Sequence, residues 1–109
     1  MSVRLYVLQR ATAALMAPMV LVHLIVILYA SAHGFSAADI LGRTRGSLVW
    51  GAFYALFVLA AAVHGAIGLR SVLGEWTPLR GRPLDVAIGA LLLLLAALGL
   101  RAVAAVVLP

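Results

Sequence analysis

Three long apolar runs separated by two short polar breaks organise the chain: Ala11 to Ser31, Leu48 to Leu69 and Val86 to Leu108. Each supplies the roughly 20 mostly apolar residues that a helix needs to cross about 30 Å of hydrocarbon. The pattern predicts an all-α fold, a bundle of three transmembrane helices forming one integral membrane domain over residues 1–109. The first run is too long for the apolar part of a cleavable signal peptide. It continues through Ala30-Ser31-Ala32 into a short loop, so it is expected to be retained. His33-Gly34-Phe35-Ser36 ends the first span, and Gly74-Glu75-Trp76-Thr77-Pro78 ends the second. Asp39 is expected to cap a short interfacial turn through Leu41. Pro83 to Asp85 should open the third helix, with the carboxylate set against the unpaired amides of its first turn.

Composition removes the soluble alternatives. Hydrophobic residues make up 66% of the 109 and charged residues 10%, where a soluble domain carries about 25% charge. The net charge of +5 comes from eight arginines against three acidic residues. Those arginines are too dispersed to form the clustered face that nucleic acid requires. They report topology instead, because cytoplasmic flanks carry the basic excess. Arg4, Arg10, Arg70, Arg80 and Arg82 fall on one side, and Arg43, Arg45 and Arg101 on the other. The N-terminus and the second loop are therefore expected in the cytoplasm and the C-terminus outside. Arg101 lies about two turns from the C-terminus, where it can snorkel outward. Tyr29, Trp50 and Tyr54 fit an interfacial aromatic belt.

With no cysteine, any metal must be held through histidine or oxygen ligands. His33 falls at the outer interface and is expected to be solvated, whereas His23 and His64 fall within the spans. A polar ring in lipid is costly unless it faces the bundle and finds a partner, which makes both functional candidates. Ala61 and Gly68 share a helical face with His64, and Gly65 is adjacent. Small residues there let the backbone approach a planar macrocycle carried on the imidazole; the same residues suit plain helix packing. Counted from the cytoplasmic ends of the expected spans, His23 lies about 18 Å deep and His64 about 9 Å. Two ligands of one upright haem need nearly equal depth. The two histidines are thus not expected to share an iron, and His64 needs its second axial ligand from another subunit. Arg10 and Arg70, at the cytoplasmic ends of their spans, are candidate donors to anionic propionates, with interfacial snorkelling as the plainer reading.

Two stretches carry a resemblance: Leu8-Gln9-Arg10-Ala11-Thr12-Ala13, entering the first span, and His64-x3-Gly68-x6-Glu75-Trp76, leaving the second. They resemble the small cytochrome b membrane-anchor subunits of succinate dehydrogenase (succinate:quinone oxidoreductase, complex II), and most closely the smaller of the two hydrophobic anchors. The resemblance implies that His64 is an axial ligand of haem b, followed by the family's glycine at Gly68, and that Arg10 lies near the propionates and the quinone pocket. Glu75 and Trp76 fall where the family has Asp and Tyr. The indole N–H can donate to a quinone carbonyl but offers no acceptor lone pair. Tyr6, one turn before Arg10, is a second candidate donor. His23 would ligate a second haem if the chain resembles di-haem members, so one haem or two stays open.

The implied partners are a second membrane anchor, an iron–sulfur subunit and a flavoprotein subunit, passing electrons from succinate to quinone at the bacterial cytoplasmic membrane. The chain itself would be a non-catalytic anchor. The alternative is a haem-free membrane interaction or assembly protein, or a transporter subunit, using the same small-residue faces only for packing.

Overall fold

A computed structural model describes residues 2–109. Three long helices, α1 (Val3–His33), α3 (Leu48–Trp76) and α4 (Gly81–Val107), are each long and apolar enough to cross a membrane, and a short helix, α2 (Ala37–Thr44), lies between the first two. Backbone amides in hydrocarbon have no water to bond, so continuous helix is the conformation that satisfies them within each segment. The helices overrun the apolar stretches. α1 begins eight residues before the expected span, α3 continues seven beyond it and α4 starts five earlier, because polar end residues keep the ladder going into the headgroup layer. The molecule is 48 Å along its longest axis, well over the hydrocarbon thickness of about 30 Å.

Serine starts three of the helices. Ser2 Oγ accepts from the Leu5 amide, Ser36 Oγ from Asp39 and Ser47 Oγ from Trp50. At α2 the expectation needs correction: Ser36 is the cap and Asp39 its reciprocal partner. The Asp39 carboxylate accepts from the Ser36 amide at 3.2 Å and from the Ser36 hydroxyl at 2.6 Å, a capping box. With both ends of the box closed, the turn extends to two full turns of helix. The Ser36 hydroxyl, the Ser36 amide and the charge of Arg43 hold the Asp39 carboxyl below its ordinary pKa of 3.8. Gly34 makes room for this group. Its φ is +137°, and a Cβ there would collide with the Asp39 carboxylate.

Asp85 also departs from expectation. α4 starts at Gly81, behind Arg80, so Asp85 falls past the first turn and pairs with Arg70 of α3 instead. The α3–α4 loop is stitched by its own side chains: the Thr77 hydroxyl donates to Leu73 O, and Arg80 donates to the carbonyls of Thr77 and Leu79. At the opposite end, the Thr44 hydroxyl and the Gly46 amide donate to Val106 O and Val107 O, each at 2.6 Å. Carbonyls left without donors at the end of α4 are thereby satisfied.

α3 is the central helix, packed against α4 on one side and α1 on the other, while α2 rests on α4. Two glycines give room to side chains of the facing helix between α3 and α4: a Cβ on Gly99 would strike Val58, and one on Gly51 would sit 3.0 Å from Val107 Cγ1. The buried core is thin. It centres on Ala66, Leu84 and Ile88, with Leu73 and Leu92 against them, and no large side chain is fully enclosed among the described residues. Leucines, valines and isoleucines along all three long helices face outward, as lipid or a partner helix requires.

Candidate functional site

On α1 the less exposed residues Gln9, Thr12, Met16, Met19 and His23 recur at intervals of three and four and form the stripe turned to α3. Thr12 is the only buried polar side chain among the described residues, at 8% exposure. Its hydroxyl oxygen lies 2.9 Å from Leu8 O, 3.0 Å from Gln9 O and 3.2 Å from Nδ1 of His64 on α3.

A hydroxyl has one proton and carbonyl oxygens only accept, so the three contacts fix the proton arrangement. The Thr12 O–H donates back to the carbonyls of its own helix, and its oxygen accepts from His64 Nδ1–H. The opposite assignment would aim Thr12 lone pairs at two carbonyl oxygens about 3 Å away. The proton of neutral His64 is therefore on Nδ1, and Nε2 carries an open lone pair with no hydrogen-bond partner among the described residues. His64 is partly buried, and Gly65 beside it is exposed, with open space where a Cβ would stand. Gly68, one turn on, faces the Gln9 side chain, whose Nε2 would be 3.4 Å from an added Cβ. Gln9 Oε1 is buried without a partner.

His23 has a different environment. Its ring makes T-shaped contacts with Tyr54 and Phe57, with centroids 5.9 and 5.5 Å away. Nδ1 is buried and has no partner. No hydrogen bond to either ring nitrogen fixes the His23 tautomer among the described residues. Thr12 and His23 are eleven residues apart on α1, about 16 Å of rise, and their α3 neighbours His64 and Phe57 are about 10 Å apart. The two histidines therefore stand at different levels. Beyond His23, toward α2, residues of all four helices line a cavity of about 940 Å³, among them His23, Tyr29, Trp50, Tyr54, Val58 and Val103. His33 is exposed, stacked on Tyr29 at 4.2 Å.

Four of the remaining candidates are exposed. Arg10 stands outside the α1 stripe, Tyr6 is 57% and Trp76 83% exposed, and Glu75 is exposed beside it. Within this chain the structure joins none of the four to His64. Arg70, the other candidate donor, is engaged with Asp85. Among the described residues no three of His, Asp and Glu gather closely enough to hold a metal ion.

The family model for the succinate dehydrogenase/fumarate reductase transmembrane subunit matches residues 1–104. The chain belongs to this family. Searches of curated proteins and of solved structures give no match. As a transmembrane subunit of the succinate dehydrogenase/fumarate reductase family, the protein is a multi-pass membrane chain of an electron-transfer complex, which sets aside the transporter alternative. His64 suits the haem of a cytochrome b-type subunit. A porphyrin brings four ligands of its own, and the imidazole offers a bare Nε2 whose opposite nitrogen is already satisfied. Sequence patterning gives Thr12 no role of its own, although it lies inside the Leu8 to Ala13 motif. The available signal is a lone hydroxyl among alanines, one turn of helix past Leu8.

Proposed function

We propose that this subunit anchors the complex at the bacterial cytoplasmic membrane, holds one haem b through His64 together with an axial ligand from a second anchor subunit, and completes a quinone site at its N-terminal end. The observation that carries this reading is the contact of His64 Nδ1 with Thr12, which leaves Nε2 of a partly buried ring without a hydrogen-bond partner among the described residues. Bound haem b supplies one-electron redox chemistry.

The chain's own residues bind and orient. His64 holds the group through Nε2. Arg10, exposed and off the stripe that meets α3, would offer its guanidinium donors to an anionic propionate. Trp76 Nε1–H and the Tyr6 hydroxyl donate to quinone oxygens at the same end of the bundle, with the Glu75 carboxylate beside them. Arg4, Arg10, Arg80 and Arg82 give that end the basic surface for docking an iron–sulfur subunit, which receives electrons from a flavoprotein oxidising succinate. The same excess of arginine supports a cytoplasmic N-terminus.

One haem is favoured over two. A His23 ring ligating through Nε2 would carry its proton on Nδ1, where no acceptor waits. The test is the optical spectrum of the purified complex. Wild type is expected to give a low-spin b-type spectrum and His64→Ala to lose it or shift it strongly. An unchanged spectrum would overturn the assignment.

A further inference from the structure

We infer that Thr12 is the positioning residue for the haem ligand: its hydroxyl accepts from His64 Nδ1–H, fixes the tautomer that bares Nε2, and sets the ring's rotation about α3. The inference rests on the proposal that His64 ligates haem, and it adds a device that spans two helices. Thr12 is buried, its own proton is committed to the Leu8 and Gln9 carbonyls, and the lone pairs of its oxygen are left to accept from the ring at 3.2 Å. Among the described residues no other side chain bonds to His64, so without this hydroxyl either tautomer is available. A ligating imidazole whose far N–H has an acceptor is more basic and better oriented. Donation from Nδ1–H raises electron density at Nε2 and favours ferric over ferrous iron.

The relevant experiment compares purified complexes carrying Thr12→Ser, Thr12→Val and His64→Ala, reading haem content, reduction potential and the low-spin electron paramagnetic resonance signal. Serine keeps the acceptor, and wild-type values are expected. Valine keeps the shape without the acceptor. It should raise the potential, alter the signal and weaken haem retention by about 10- to 100-fold. A complex in which valine alters stability alone, with potential and signal unchanged while His64→Ala loses haem, refutes the role of Thr12 and spares the ligand. A His64→Ala complex with unaltered haem refutes the reading beneath it. If the valine complex does not assemble, Thr12→Ala removes the acceptor without adding a methyl group, and the same readouts decide. Serine as damaging as valine also counts against the proposal.

Discussion

Arg70 of α3 meets Asp85 of α4 with two nitrogens on one oxygen: Nε and Nη2 lie 3.0 and 2.9 Å from Oδ1. The pair clamps the two helices beside the loop that joins them. It also occupies a guanidinium that the sequence alone leaves open to an anionic ligand. The side chains are 29% and 59% exposed, so screening keeps the pair's worth within the surface range of about 0.2–1 kcal/mol. A double-mutant cycle of Arg70→Gln and Asp85→Asn on thermal stability should return a coupling of that size. Neither change should move the haem spectrum, and a loss of haem in Arg70→Gln would reassign the residue to the cofactor.

Gly99→Ala should be among the most disruptive single-methyl changes in the chain. The new Cβ falls inside the volume of Val58 Cγ1, and overpacking of this kind costs about 1–3 kcal/mol. Adding Val58→Ala should recover much of the loss. Equal stability of Gly99→Ala and wild type in detergent melts would show that α3 and α4 are not in this close register.

α2 should be sensitive to acid. The native Asp39 carboxyl is lowered chiefly by the Ser36 hydroxyl, so its contribution is complete above the unfolded value near 3.8 and fades as pH drops through the native one. Hydrogen exchange of α2 amides should therefore gain an acid-side loss of protection that Asp39→Asn removes. Identical pH profiles for the two chains would contradict the capping box.

His23→Leu should leave haem per complex unchanged and stability equal or slightly higher, since it removes a buried nitrogen without a partner. A fall in haem stoichiometry would establish His23 as a ligand and restore the di-haem alternative.

Trp76→Phe keeps the apolar ring and deletes the indole donor. If that donor reaches the quinone, KM for quinone should rise about 3- to 10-fold, the worth of one neutral hydrogen bond. An unchanged KM would assign Trp76, 83% exposed, to the interfacial belt.

The spans are legible in the sequence because apolar length is a direct requirement of the bilayer, and their cores coincide with α1, α3 and α4. The helix ends are not, since Arg4 or Trp76 can continue a helix in the headgroup layer without changing the apolar run. His64 is visible as a polar ring among small neighbours. Its partner is hidden, because Thr12 is an ordinary mid-helix residue until the crossing of α1 over α3 is known. Asp85 looks like a cap for the same reason: only the three-dimensional approach of Arg70 gives it another use.

With so little of its apolar surface enclosed by its own three spans, the polypeptide behaves as one piece of a larger thermodynamic unit. Its persistence should follow mass action with its companions, so that expressing it alone yields a short-lived chain and supplying the other subunits lengthens its life without any change in sequence.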